Sequence, residues 1–370
     1  MKIKGKHYRT IWEREHRGVH IQIIDQRSLP HQLIIETLSS VKDVERAIRE
    51  MHLRGAPLIG AAAAYGVFFA LQEALQSGDF KGQFDQLIAQ IQKTRPTAVD
   101  LFNCVERCKK VIFSTSNTQE RLEKALNEAR QIVEESVLHC ESIGQHGLSI
   151  IQDLAKTKKE GEPVNILTHC NAGWLACIDH GTATAPIYAA HKQGIPIHVW
   201  VDETRPRNQG ARLTAYELLQ EGIPHTVISD NTGGLLMQKK RVDLVLVGSD
   251  RTTREGDVAN KIGTYLKALA AHDNQIPFYV ALPASSFDWT LRNGLLEIPI
   301  EERSGQEVKY IQGINEAGNL DRVLLCPPES PALNYGFDIT PARYVTGLIT
   351  ERGICAAHEK AILSLYPEKQ

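Results

Sequence analysis

The sequence predicts an α/β protein in two unequal parts. A smaller, mainly helical N-terminal domain (residues 1–155) precedes a C-terminal domain (residues 156–370) built on a doubly wound parallel sheet. Beyond residue 163, short apolar, β-branched runs recur at roughly 20 to 35 residues, each followed by a helix-compatible stretch, as β–α–β crossovers require. Before residue 155, apolar residues recur at spacings of three and four, the period of a helix. Between the two, AKTKKEGEP (155–163) is charged and carries Gly161 and Pro163, a composition break suited to a linker. At 370 residues the chain suits two domains better than one.

The N-terminal stretch MKIKGKHYRTIWERE is charged and has no apolar core of the kind a signal peptide carries. A strand-like opening follows, with HIQIIDQ its clearest piece, and then the helical segments SSVKDVERAIREMHLRG, APLIGAAAAYGVFFALQEALQ, FDQLIAQIQKT and a long run from about Thr118 to Asp153. The longest apolar run, Ala61 to Leu71, reads as too short to cross a bilayer. In the C-terminal part the strands are NILTHC, IPIHVWVDET, IPHTVISD, VDLVLVGSD and IPFYVALPASSF, apolar on both faces as in a sheet covered by helices on each side. Each ends in polar or reactive residues: Thr168-His169-Cys170, Asp202-Glu203-Thr204, Ser229-Asp230, Ser249-Asp250 and Ser285-Ser286. Open parallel sheets bind ligands outside the carboxyl ends of their strands, so these five clusters are expected to converge on one crevice.

Composition narrows the partners. A formal net charge of -2 gives no electrostatic reason to expect nucleic acid or an anionic membrane, which leaves a small molecule. Seven cysteines, an odd number spread through a long chain, suit free thiols in a reducing cytoplasm. There is no CxxC pair, no HExxH and no Cys/His cluster of zinc spacing, so no metal is expected. Neither GxGxxG nor GxxxxGK[ST] follows any strand, so a nucleotide cofactor lacks its usual signature.

Candidate chemistry starts at Cys170, placed at a strand end and before a helix expected through Gly173, Trp174 and Leu175. Such a helix start favours a thiolate, while apolar neighbours oppose it, and a buried filler cysteine fits the residues as well. Asp250 closes a run of buried apolar residues, where a raised pKa would make it a proton donor, although Asp is also a common turn former. In GDVANKIGTYLKALAAH, Asp257 as N-cap would put Asn260 and Lys261 in the first helical turn, an anion-binding arrangement. In RGAPLIG, Pro57 suits the first position of a helix, Gly55 permits close approach of a ligand, and Arg54 beside those amides suits a phosphate. Arg95, before the Pro-initiated segment TRPTAVDLFN, is a second candidate clamp. Gln209 and Gly210 lie near a helix start after the second strand.

In this order RGAPLIGAAAAYG, RPTAVDLF, LTHCNAG-LA, DETRPRNQGARLTAYEL, GSDR---EGDVANKIGTY and IPIEER resemble the methylthioribose-1-phosphate isomerase family. IIDQRSLPH and NYGFDITPARYVTGLITERGI extend the resemblance from about Trp12 to Ile354. DNTGGLLM and TTREGDV depart from the expected pattern, which bears on the shape of the crevice. The resemblance implies a Rossmann-like C-terminal domain, a homodimer, and no metal or cofactor. It also implies an aldose–ketose isomerase converting S-methyl-5-thioribose 1-phosphate to S-methyl-5-thioribulose 1-phosphate in methionine salvage. The reactive cysteine falls on Cys170 and the acid on Asp250; the substrate-binding groups fall on Arg54, Gly55, Ala56, Arg95, Gln209, Asn260 and Lys261. Two routes fit: Asp250 protonates the ring oxygen while Cys170 carries a proton from C2 to C1, or a hydride shifts as Asp250 takes the 2-hydroxyl proton and Cys170 assists ring opening. The rivals are a ribose-1,5-bisphosphate isomerase and a non-catalytic regulatory subunit of a translation-initiation exchange factor.

Overall fold

The computed structural model describes residues 1–15, 18–95 and 98–370. The chain opens on an antiparallel three-stranded sheet, Ile11–Glu15, Val19–Asp25 and Ile34–Leu38, with HIQIIDQ in its central strand. Five helices follow: α1 Val41–Arg49, α2 Ala56–Ala74, α3 Phe80–Lys93, α4 Val99–Ile112 and α5 Thr118–Ala155. Local chemistry sets their starts. Ser40 accepts from the Asp43 amide, and Asn117 accepts from that of Glu120. Pro96, expected to open α4, lies outside the described residues, and α4 begins at Val99 behind Ala98.

Helix α2 corrects the expectation drawn from its apolar run. It is 19 residues long and apolar enough to span a bilayer by length and composition. It is apolar all round because α1, α3, α4 and α5 pack on it from every side, and 78% of its most apolar stretch is buried. Helix α5 serves two cores. Ala125, Ala129, Ile132 and Val133 pack against α2, whereas Ile143, Leu148 and Ile151 pack beneath the large sheet. Gly147 makes that second contact possible, since a Cβ there would lie 2.4 Å from the ring of Pro186 in α6 (Ala185–Lys192).

The main sheet has seven strands, numbered in chain order: β1 Val164–Thr168, β2 Ile197–Asp202, β3 His225–Ile228, β4 Leu244–Val247, β5 Phe278–Ala281, β6 Gly347–Thr350 and β7 Gly353–Cys355. Their spatial order is 3-2-1-4-5-6-7. The first six are parallel, and β7 runs antiparallel to β6. All five expected runs are strands of this sheet; β6 and β7 join them. Ile166, Val199 and Leu246 face one helical layer, and Leu167, Val245 and Val280 face the other. The order reverses between β1 and β4, which opens a crevice at their carboxyl ends.

Beyond β4 the chain builds a second sheet of four strands in the order Phe287–Asp288, Arg251–Thr253, Val258–Lys261, Phe337–Thr340. Asn260 and Lys261 therefore sit at the end of a strand and not in the first turn of a helix as expected, because Val258–Lys261 pairs antiparallel with Phe337–Thr340. Asp257 does not cap that helix; its carboxylate accepts from the amides of Gly294 at 2.8 Å and Ala342 at 2.9 Å. The helix starts at Thr264, behind a left-handed Gly263.

Candidate active site

Cys170 follows β1 and Asp250 follows β4, so the two stand on either side of the point where the sheet order reverses. One cleft there is lined by all nine residues singled out from the sequence: Arg54, Gly55, Ala56, Arg95, Cys170, Gln209, Asp250, Asn260 and Lys261. Of the five polar strand ends, His169, Ser249 and Ser286 also reach the cleft. Asp202, Thr204 and Asp230 lie behind it and act as supports.

The backbone at Cys170 is left-handed, with φ at +67°, a conformation that a non-glycine residue adopts only when its surroundings impose it. Two threonines impose it. The Cys170 amide donates to Thr204 Oγ1 at 2.8 Å, and Thr214 Oγ1 donates to the Cys170 carbonyl at 2.7 Å. Thr214 is in place because Gly210–Thr214 forms one π-helical turn ahead of the helix Ala215–Gln220, a local distortion common at functional sites. Thr204 is in place because the Asp230 carboxylate accepts from its amide at 2.7 Å and from that of Arg205 at 2.8 Å. The expected helix after Cys170 is a single 3-10 turn, Trp174–Ala176, so the thiol does not sit at the start of a helix of its own segment.

Side chains surround the sulfur instead. The Gln209 amide lies 3.2 Å from Cys170 Sγ, and its other end is 3.0 and 3.1 Å from Arg54 Nε and Nη1. Arg54 also donates to the Asn171 carbonyl at 3.3 Å and to the Asn171 side-chain oxygen. Asn171 in turn donates to Glu217 at 3.0 Å and to Thr214 at 3.1 Å. Arg54, Cys170, Asn171, Gln209 and Glu217 are all buried. Burial pushes the Cys170 thiol up, while Arg54 and then Lys261 pull it down. Asp250 follows the same logic: burial raises its carboxyl, and Lys261, Arg95 and Arg54 oppose the rise.

The rest of the cleft is rich in cations. Lys261 donates to the Gly336 carbonyl at 3.0 Å and stands 4.9 Å from the Phe337 ring centre. The Nε of Arg95 is buried without a hydrogen-bond partner among the described residues, and burial lowers the pKa of that guanidinium against the pull of Glu301. Arg207, Arg251, Arg303 and Glu301 line the same cleft and were not singled out from the sequence. All four lie inside quoted motifs, Arg207 in DETRPRNQG, Arg251 in GSDR, and Glu301 and Arg303 in IPIEER. The missing signal for Arg207 and Arg303 was their pairing through Glu307, which lies 2.5 Å from Arg207 and 2.8 Å from Arg303. At the start of α2, Gly55 adopts φ of +99° and a Cβ there would fall 2.1 Å from the Ala176 carbonyl oxygen, so this position requires glycine. The first turn of α2 has no side-chain cap, which leaves its amides for a ligand.

Behind Cys170, His169 bonds Asp202 at 2.8 Å and the Ile262 carbonyl at 2.8 Å, tying β1 and β2 to the loop that carries Lys261. His169, Asp202 and Asp230 come close enough to share a metal ion. The buried Lys267 ammonium stands 3.1 Å from Asp202 and donates to the Asp230 carbonyl, which already sets a positive charge against this cluster.

Comparison with known proteins gives this arrangement a context. The model of the initiation factor 2 subunit family matches residues 52–357. A methylthioribose-1-phosphate isomerase of Desulfatibacillum aliphaticivorans is 54% identical, over 100% of both chains. One from Desulfosudis oleivorans is 56% identical over 98% of both. Among solved structures, 5-methylthioribose 1-phosphate isomerase from Pyrococcus horikoshii superposes with a TM-score of 0.82 at 37% identity, covering 98% of this chain and 97% of that one. The delta subunit of translation initiation factor eIF-2B from A. fulgidus superposes with a TM-score of 0.77 at 35% identity, covering 98% and 100%.

Proposed function

We propose a division of labour in the cleft from one premise: this chain belongs to the initiation factor 2 subunit family and, within it, to the methylthioribose-1-phosphate isomerases. It is an aldose–ketose isomerase that converts S-methyl-5-thioribose 1-phosphate to S-methyl-5-thioribulose 1-phosphate. The observation that carries the residue roles is the facing of Cys170 and Asp250 across the sheet reversal, inside a cation-lined cleft.

The phosphate on C1 blocks simple opening to a free aldehyde, so the bond between C1 and the ring oxygen must break first. Asp250, whose carboxyl burial pushes toward its protonated form, gives its proton to the ring oxygen, and C1 becomes electron-poor. Cys170 as thiolate takes the proton from C2, leaving an enol phosphate between C1 and C2. The thiol returns that proton to C1, Asp250 takes the 2-hydroxyl proton, and both residues regain their starting forms. A second route draws on the burial that favours a neutral thiol. There the Cys170 thiol gives its proton to the ring oxygen, hydride passes directly from C2 to C1, Asp250 as carboxylate takes the 2-hydroxyl proton, and that proton returns to Cys170 to reset the pair. Turnover in deuterated water distinguishes them. Deuterium at C1 of the product, entering where the thiol exchanges with solvent before it returns the proton, supports proton transfer and overturns the direct hydride shift.

The phosphate goes to Arg95, Lys261 and the uncapped amides of Gly55 and Ala56, with Asn260 beside them. The wall also includes Met51, Ile59, Ala98 and Ile298, apolar side chains that suit a thioether. Helix α5 ends at Ala155, which supports a division into domains at 155/156. A homodimer is supported by apolar side chains left exposed on the hairpin Tyr310–Ile314 and Leu320–Leu324, with Leu325 and Leu333 nearby. All seven cysteines are unpaired, which suits the cytoplasm.

A further inference from the structure

We infer that Arg54 and Gln209 are positioning residues for a Cys170 thiolate, Arg54 turning the Gln209 amide so that its Nε2–H donates to Cys170 Sγ. The inference rests on the reading of Cys170 as the reactive group. It follows from donor and acceptor inventories. A guanidinium has five N–H donors and no acceptor. The end of the Gln209 amide lying 3.0 Å from Arg54 Nε and 3.1 Å from Arg54 Nη1 must therefore be its oxygen. The other end, 3.2 Å from Cys170 Sγ, is then the NH₂ group. An NH₂ group aimed at sulfur needs an acceptor there. A thiolate accepts strongly, whereas a thiol must turn its own hydrogen away and accepts weakly.

The same inventory redefines Arg54. Its Nε is engaged by Gln209, its Nη1 by Gln209 and the Asn171 carbonyl, and its Nη2 by the Asn171 side-chain oxygen. Little donor capacity is left to clamp a phosphate. What its charge faces is Cys170, and the buried Glu217 offsets it from behind, through Asn171. The other titratable or charged groups around the thiol are Lys261 from the second sheet, Asp250 from the end of β4, His169 on the same strand end and Arg207 beside Gln209. Among the side chains of the described residues, Gln209 is the one hydrogen-bonded to the sulfur, and the Asn171 amide also favours the thiolate.

The test uses the free protein and needs no turnover. The rate of alkylation of Cys170 by iodoacetamide is followed against pH by peptide mass, in wild type, Gln209→Met and Gln209→Glu, with Cys170→Ser identifying the peptide. Methionine keeps the length and removes the donor. Glutamate keeps the partner for Arg54 and puts a carboxylate against the sulfur. Both variants are expected to move the reactivity midpoint to higher pH, slowing alkylation near neutrality by roughly tenfold for each unit of displacement. In turnover, the acid limb of kcat/KM for Gln209→Met should move the same way, with kcat partly recovered at alkaline pH. A role confined to substrate contact would raise KM and leave the alkylation profile in place. Superimposed alkylation profiles in both variants overturn the inference, whatever happens to isomerisation. A displaced profile with no isomerase activity in wild type would leave the inference standing and overturn the reading of function.

Discussion

At the end of β1 the backbone is held by side chains, whereas at the end of β4 it is held by backbone. Cys170 has its amide on Thr204, its carbonyl on Thr214 and its neighbour Asn171 on Arg54, Thr214 and Glu217. Asp250 has its amide on the Ala259 carbonyl at 3.0 Å, an ordinary step into the second sheet, and Ser249 beside it pairs with Thr252 at 2.8 Å. The contrast follows from what each group must do. A thiol in a dry cleft is neutral unless charges and donors are gathered around it, and a left-handed backbone needs restraint to persist. Burial by itself pushes a carboxyl toward its protonated form. The thiol end therefore depends on many residues, the acid end on its surroundings as a whole.

The largest effect should come from removing the two groups themselves. Cys170→Ser and Asp250→Asn are each expected to lower kcat by about a thousandfold with unchanged circular dichroism, in line with general acid–base contributions. Steady-state assay of the purified variants checks this. Near-wild-type kcat in either would remove that residue from the chemistry and end the comparison.

A smaller effect tests whether the restraint on Cys170 matters. Thr204→Val keeps the shape but deletes the acceptor for the Cys170 amide, leaving a buried donor unpaired at an expected stability cost of about 1–3 kcal/mol. The displaced sulfur should lower kcat by about tenfold or more, and Thr204→Ser should restore it. The analogous change beside the acid, Ser249→Ala, touches no bond of the Asp250 backbone and should lower kcat less. Equal losses at both ends would mean that the contrast in support has no functional weight.

Much of the acid end was legible in sequence. VDLVLVGSD reads as a buried strand ending in a carboxylate, and burial alone then gives the direction of its pKa. The Cys170 end was legible only in outline. NILTHC announced a strand and a thiol, RGAP and the helix start at Gln209 offered polar groups, and the resemblance gave Arg54 and Gln209 the role of binding substrate. Nothing local says that Thr204 and Thr214 would take both backbone groups of Cys170, since those contacts depend on a π turn and on strands brought together from distant segments. Asn260 and Lys261 were misassigned to a helix for a related reason: VANK is compatible with either state, and its pairing partner, Phe337–Thr340, lies far along the chain. Asp230 falls in a stretch that departs from the expected pattern, yet it fixes Thr204 and Arg205 in place.

The support behind Cys170 should also leave a signature in stability against pH. Glu217 accepts from Asn171, the Leu175 amide and Tyr188, but full burial outweighs those bonds and raises its pKa from 4.5 to about 6. A folded-state pKa above the unfolded value means that the contribution is complete below about pH 4.5 and is lost as pH rises through about 6. The displacement corresponds to about 2 kcal/mol. Glu217→Gln can keep the same partners, its oxygen accepting from Asn171 and Leu175 and its NH₂ donating to Tyr188, without a group to titrate. Denaturant unfolding of the two proteins between pH 4.5 and 7 should therefore show wild type losing about 2 kcal/mol relative to the variant, with groups common to both cancelling. Parallel curves would mean that the three hydrogen bonds balance burial, and that the support at this end is as insensitive to pH as the backbone pairing at the other.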